Sequence, residues 1–278
     1  MARCRRDTAQ RNYSVQDPTR RFSDRVSYYA KFRPGYPEEL LAYLGRIFPL
    51  PAAVADIGSG TGILTRQLLD HGYTVYAVEP NEPMRAEAER ALKAYSCFHS
   101  VNGRAEATRL PDRAIDLVTC AQAFHWFDRK KSRSEFCRIL KPDGATALIW
   151  NERRDDLSDF AWEYNDLLHR MVRDYRKSKH RRIRAEEIHG FFAPNDVALV
   201  SFQNFQDLDR EGFKGRLLSS SYVPIVGQPG HEEIVEAAEK IFDKYEHGGK
   251  VTVEYETKLY LGRWTQGSPG TLGWKCLT

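Results

Sequence analysis

The chain has no apolar run long enough to cross a bilayer, and its arginine-rich start is not followed by the apolar stretch of a secretory signal. A soluble cytoplasmic protein with no membrane partner is the expectation. Its five cysteines, at 4, 97, 120, 137 and 276, are odd in number and contain no C-x-x-C. They read as reduced thiols, with Cys97 and Cys120 filling strand positions. No His, Cys, Asp and Glu grouping has metal-ligand spacing, so no metal is expected. Charge of one sign is also lacking: 42 basic residues stand against 38 acidic ones, a net +4. That balance is too mild to imply nucleic acid. At 278 residues the chain fits one large domain, or a core carrying an inserted cap.

What is present centres on Ala53-Val54-Ala55-Asp56-Ile57-Gly58-Ser59-Gly60-Thr61-Gly62. An apolar run ends in an acid, passes through alternate glycines and opens into Ile63–Leu69, which has helical spacing. Such a strand, glycine turn and helix lets a ligand lie on the backbone at a helix N-terminus, because glycine adopts positive φ and leaves no Cβ in the way. The dinucleotide fingerprint G-x-G-x-x-G needs glycine where Ile63 stands, so the spacing disfavours NAD. A second β-branched run, Thr74–Val78, closes on Glu79, at the reach of one βαβ unit from Gly58. A carboxylate there offers paired acceptors to the two hydroxyls of a ribose.

Asp56, the G-x-G-x-G turn, Glu79 and the later phrase Arg138-Ile139-Leu140-Lys141-Pro142-Asp143-Gly144 together resemble the class I S-adenosylmethionine-dependent methyltransferases. The segment Tyr29-x-x-x-Arg33-Pro34-x-Tyr36-Pro37 resembles the small-molecule branch of type 11, related to the trans-aconitate methyltransferases. The resemblance runs over roughly 22–260 and is strongest over 54–150. It implies S-adenosylmethionine as cofactor, with Asp56, Gly58, Ser59, Gly60, Glu79 and Gln122 around it. It also implies that Tyr29 and Arg33 fold over the methionine carboxylate, that Met84 packs on the adenine, and that Ala105 and Glu106 meet the adenine edge. Residue by residue, plainer readings stay open: Tyr29 and Arg33 packing a helix, Met84 as core, Glu106 as an exposed loop acid.

The order β-α-β-α-β-loop-β-α-β from Val54 to Trp150 predicts a doubly wound α/β sheet. The resemblance extends it to seven mostly parallel strands, with Val251–Tyr260 inserted antiparallel between the fifth strand, Ala145–Trp150, and the sixth, Asp196–Phe202. The expected organisation is a flexible or subunit-docking tail over 1–21, which would make a homo-oligomer, and a lid helix and cofactor-binding core over 22–150. A helical substrate cap over 151–194, completion of the sheet over 195–262 and a loose tail over 263–278 follow.

The fourth strand, Ala114–Ala121, delivers Gln122-Ala123-Phe124-His125-Trp126-Phe127 to the edge where open α/β sheets bind ligands. His125 is the candidate general base, because imidazole titrates near neutral pH; packing against the cofactor is the alternative. Phe124, Trp126, Trp162 and Tyr222 are expected to form an aromatic acceptor cleft. No Asn-Pro-Pro-Tyr or Pro-Cys follows that strand, which argues against methylation of nucleic acid bases. The expected activity is methyl transfer to a metabolite or natural product of secondary metabolism. The rivals are an RNA methyltransferase using the basic run Arg170–Arg184 and a non-catalytic S-adenosylmethionine-binding scaffold.

Overall fold

The computed structural model describes residues 26–172, 175 and 183–264. The expectations for the 1–21 tail, for residues 265–278 and for most of the basic run (Arg173, Arg176, Lys177, Lys179, Arg181 and Arg182) lie outside the described residues.

The expected sheet forms. Strands β1 (Ala53–Ile57), β2 (Thr74–Val78), β3 (Phe98–Val101), β4 (Ile115–Ala121), β5 (Leu140–Arg153), β6 (Val197–Leu208) and β7 (Val251–Arg263) make one sheet of order β3-β2-β1-β4-β5-β7-β6. The first five are parallel, and β7 runs antiparallel between β5 and β6. Strands β1 and β4 are buried on both faces, which is why they read as continuous apolar runs instead of alternating ones. Helices α1 (Val26–Phe32), α2 (Glu38–Ile47), α3 (Ile63–Asp70), α4 (Glu82–Leu92) and α5 (Arg129–Ile139) follow in the first half. The amphipathic α2 buries Leu40, Leu41 and Leu44 against Val54, Leu117 and Ala147 on one face of the sheet. Local capping sets where α4 and α5 begin: Asn81 accepts from the Met84 amide and Asp128 from the Lys131 amide.

Several boundaries differ from the sequence reading. The pairing of β5 on β4 jumps from Ile115 with Leu140 to Leu117 with Ala145, so Lys141–Gly144 bulges from a longer strand instead of separating it from α5. Strand β5 also runs on to Arg153, because β7 pairs with it through Tyr255. Cys97 precedes β3 and is exposed, whereas Cys120 is buried in β4. Arg263 and Trp264 close the core instead of opening a tail: Trp264 is buried, stacks on Phe192, and donates from its indole to Thr146 Oγ1.

The cap is redistributed. Helix α6 (Asp159–Met171) packs with α8 (Arg210–Leu218) and α9 (His231–Tyr245) around Phe160, Tyr164, Phe213 and Phe242, a second hydrophobic cluster apart from the sheet. Helix α7 (Ala185–Phe192), assigned to the cap by sequence, instead puts Ile188, Phe191 and Phe192 into the core beneath the sheet. Two stretches distant in the chain thus make one cap, which periodicity within either could not show.

Helix α1 lies against α8, where Phe32 covers Gly215 so closely that any Cβ there would meet the ring. The chain after it is strapped down by side chains. Asn151 and Asn204 both donate to the Gly35 carbonyl, at 2.9 and 3.0 Å, and Gln206 donates to that of Phe32 at 3.1 Å. Gln67 both accepts from the Tyr36 amide and donates to its carbonyl. The lid segment is therefore held closed over the carboxyl edge of the sheet.

Candidate functional site

At that edge lies a cavity of about 740 Å³, lined from α1, the glycine turn, the ends of β2, β4 and β5, and the Ser221–Tyr222 turn after α8. Gly58 sits at φ +71°, and a Cβ on it would come within 2.6 Å of the Ala123 methyl carbon and 3.5 Å of the Phe127 ring. The position admits no side chain, because Ala123 at the end of β4 already fills the space a Cβ would take, and the chain of β4 packs directly on the turn.

Glu79 is buried, and its carboxylate accepts from the Gly60 amide at 3.0 Å and the Asn81 amide at 2.7 Å. Each oxygen keeps acceptor capacity, and the side chain lines the cavity. Burial pushes its pKa up, while the two amides and Arg85 pull it down, leaving a net rise. The Arg85 guanidinium donates to the Glu79 carbonyl, which holds the strand end in place.

Tyr29, Arg33, Gly58, Gly60, Met84, Ala105, Glu106, Gln122, His125, Trp126 and Tyr222 line the same cavity, as their assignments require. Met84 is buried near Gly60, and Glu106 accepts from the Asp128 amide, which ties the adenine-side loop to the start of α5. Gln122 stands at φ +56° and donates to the Asn151 carbonyl at 3.2 Å. A non-glycine residue in the left-handed region at the end of β4 is backbone strain located at the site. His125 and Trp126 lie in a single 3-10 turn, Phe124–Trp126, their rings 4.6 Å apart.

Four assignments are corrected. Asp56 does not reach the cavity; it is buried, accepting from Thr65 Oγ1 at 2.6 Å and Thr119 Oγ1 at 2.9 Å. It ties the first turn of α3 to β1 and β4, and Thr119 lies in register beside it. Ser59 does not line the cavity, and its hydroxyl is buried without a hydrogen-bond partner among the described residues. Phe124 is fully buried against Phe191, 4.6 Å between ring centroids, and is core. Trp162 is 63% exposed on the outer face of α6. With Ser158 capping that helix, Phe160, Ala161, Tyr164, Leu167 and Leu168 take its inner stripe and leave position 162 outside.

The Asp56 environment has a measurable consequence. Burial outweighs its hydroxyl hydrogen bonds and pushes its pKa to about 6. A carboxyl raised in the folded state binds its proton more tightly there than in the unfolded chain, so its contribution falls as pH rises from about 4 through 6. Chemical denaturation across that window shows wild type losing stability relative to Asp56→Asn, whose side chain does not titrate. A parallel pH profile for the two proteins would refute this.

Sequence reasoning missed Asn151, Arg153 and Tyr260, all of which line the cavity. The signal for the first two was their place just past the apolar part of β5, at the carboxyl edge. Tyr260 comes from the antiparallel β7 and had no local signal.

The residues present fit S-adenosylmethionine. The glycine turn at Gly58 and Gly60, the cavity-lining Glu79 carboxylate and the partly buried Arg33 guanidinium, whose Nε has no partner, would suit its sugar and carboxylate ends. When bound, that cofactor supplies a methyl group activated by its sulfonium. The residues that would orient an acceptor and exclude water beside it are those of the strapped segment after α1 and the aromatic wall of Trp126, Phe127 and Trp150.

A methyltransferase domain model matches residues 55–148. An uncharacterized methyltransferase of Mycobacterium tuberculosis is 37% identical over 147 residues, 52% of this chain and 57% of that protein. The chain thus spans little more than half the length of that curated relative. Among solved structures, a candidate type II methyltransferase of Anaeromyxobacter dehalogenans has 25% identity and a TM-score of 0.61, covering 84% of this chain and 98% of that one. Phosphoethanolamine N-methyltransferase 2 of Haemonchus contortus, solved with S-adenosyl-L-methionine, shares the fold at 18% identity and a TM-score of 0.55, covering 90% of this chain and 59% of that one. Among the described residues no helix is long and apolar enough to cross a membrane, and no group of His, Cys, Asp and Glu could hold a metal ion. The matched domain, the sheet order and the glycine turn with Glu79 agree: residues 55–148 form a methyltransferase domain, built on a fold shared with solved methyltransferases and with a site whose residues fit S-adenosylmethionine.

Proposed function

We propose that this chain transfers a methyl group from S-adenosylmethionine to a small-molecule acceptor held in the cavity between the glycine turn and the cap. The supporting observation is the pocket itself: Tyr29 and Arg33 from α1 and the residues after it, the Ser221–Tyr222 turn after α8 and the β4–β5 edge line one cavity of about 740 Å³. Such a chamber suits a metabolite beside the cofactor. Nucleic acid would need an open basic groove, and the RNA reading rests mainly on residues outside those described.

The acceptor lies over the 3-10 turn, against Trp126 and Tyr222, with His125 taking the proton of a hydroxyl as it attacks, or of an ammonium before the freed amine attacks. Tyr29 and Arg33 close the methionine end, and Glu79 holds the ribose. Methyl transfer needs no covalent enzyme intermediate, so the work of the site is alignment. Calorimetric titration with S-adenosylmethionine, followed by mass-spectrometric screening of metabolite pools for gain of one methylene, tests the reading. Absence of cofactor binding would overturn it.

The role of His125 has its own test. His125→Gln keeps a polar side chain and lowers kcat by about a hundredfold or more, with cofactor affinity unchanged, as removal of a general base does. An unaltered kcat would reduce His125 to a packing residue.

A further inference from the structure

Behind the Ser221–Tyr222 side of the cavity lies a buried guanidinium that no carboxylate pairs, and a second guanidinium reaches the wall in front of it. Arg33 is partly buried, and among the described residues its one hydrogen bond runs from Nη2 to the Ser219 carbonyl at 2.9 Å, leaving the buried Nε without a partner. Burial and the neighbouring Arg216 lower its pKa, so the two guanidiniums feel each other. Arg216 is itself 8% exposed and donates only to neutral hydroxyls, Tyr255 at 3.0 Å and Ser220 at 3.3 Å. Among the described residues neither has a carboxylate at ion-pair distance. Arg153, on the cavity wall, does have one: its Nε donates to Asp155 at 2.6 Å, and its Nη2 donates to Tyr175 at 2.8 Å. Among the described residues its Nη1 makes no hydrogen bond, and Nη2 also reaches Asn165 Oδ1 at 3.4 Å. Tyr222 lies within electrostatic reach of all three guanidiniums.

The other groups there do not restore neutrality. Burial pushes the Tyr164 phenol up to about 12 and the Tyr175 phenol higher still, so both stay uncharged at neutral pH. Glu152 lines the cavity but is paired with Lys258 at 2.8 Å. The cofactor does not neutralise the site either. Its carboxylate can pair with Arg33, but its ammonium and sulfonium leave it a net cation. The cation left without a counter-ion is Arg216, and because a buried unpaired cation is unfavourable, a negative group on the other ligand would offset it.

Resting on the methyltransferase reading above, we propose that the acceptor is an anion, carrying a carboxylate or phosphate that docks on Arg153 beneath Tyr222 and Ser221, with Arg216 behind it supplying further positive potential. The anion is the handle by which the acceptor is oriented, and the methylated group is a separate hydroxyl or amine directed at His125. The fork of Arg153 offers Nη1 to one oxygen of the anion, and the Tyr222 hydroxyl and Ser221 complete a polar rim.

Three probes of similar shape test this by titration calorimetry, with and without saturating S-adenosylhomocysteine: benzoate, phenyl phosphate and neutral benzamide. The expected result is that one or both anions bind at least about tenfold more tightly than benzamide, the effect of one charge-assisted hydrogen bond. Preference for benzoate assigns the handle to a carboxylate, and preference for phenyl phosphate to a phosphate. In the double variant Arg153→Met with Asp155→Asn, which removes the ion pair as a neutral unit, the preference for anions disappears. Arg153→Lys, which keeps that pair, retains part of it. Thermal unfolding reports whether each variant is folded, and the wild-type comparison stands without them. Equal affinity for benzamide, no binding of any probe, or an undiminished preference in the folded double variant would overturn the proposal. Failure of S-adenosylhomocysteine to bind wild type would instead overturn the methyltransferase reading, and the cofactor-free titrations would still decide the anion site.

Discussion

Replacing Glu79 by alanine weakens S-adenosylmethionine binding by about a hundredfold or more, because two charge-assisted hydrogen bonds to a ribose are each worth roughly 1.5–3 kcal/mol. The loss has a second source within the protein. The same carboxylate accepts from the amides of Gly60 and Asn81, so it braces the glycine turn and the start of α4 together. Glu79→Gln separates the two effects. An amide keeps one carbonyl acceptor and presents donors where the second oxygen stood, so its affinity lies between wild type and Glu79→Ala. Calorimetry on the three proteins measures this, with thermal unfolding to show that the variants remain folded. Equal affinity in all three would remove Glu79 from the cofactor site.

Gly58→Val is expected to abolish cofactor binding and to destabilise the fold as well. The residue stands at φ +71°, which a β-branched side chain strongly disfavours, and its Cβ would lie 2.6 Å from the Ala123 methyl carbon. Relief requires β1 and β4 to separate at their carboxyl ends, where the ligand lies. Backbone strain of this kind costs about 1–3 kcal/mol before any clash is counted. Chemical denaturation and S-adenosylhomocysteine titration together check it. A variant that folds and binds as wild type does would show that the turn is not in contact with the cofactor.

The two replacements differ in what they disturb, which bears on how the site was legible. Glu79 and Gly58 could be assigned from the chain because their roles are local: one ends a strand, the other begins a turn, and one βαβ unit places them side by side. Asp56 had equal claim by the same local logic, standing at the end of β1. Its carboxyl turns instead to Thr119, which the β1–β4 pairing puts beside it, and to Thr65 in the first turn of α3. Nothing within β1 distinguishes a side chain facing a ligand from one facing the next strand.

The aromatic residues show the same division. Phe124 and Trp126 are neighbours in a single turn, yet one is sealed against Phe191 and the other lines the cavity. Trp162 is apolar in an amphipathic helix and was expected inside. The phase of α6 is set by the helices it packs on, α8 and α9, which come from another stretch of the chain.

Periodicity and turn chemistry therefore suffice for the doubly wound core, the glycine turn and the Glu79 acceptor, because those depend on contacts within one or two adjacent elements. The composite cap, the strap on Gly35 and the cluster of Arg33, Arg153 and Arg216 arise only when residues far apart in sequence are packed together. Arg153 and Arg216 are two basic residues among 42 in the chain. Arg216 is buried with no carboxylate partner and Arg153 is set on the cavity wall beside Asp155, and both placements are properties of the packed molecule.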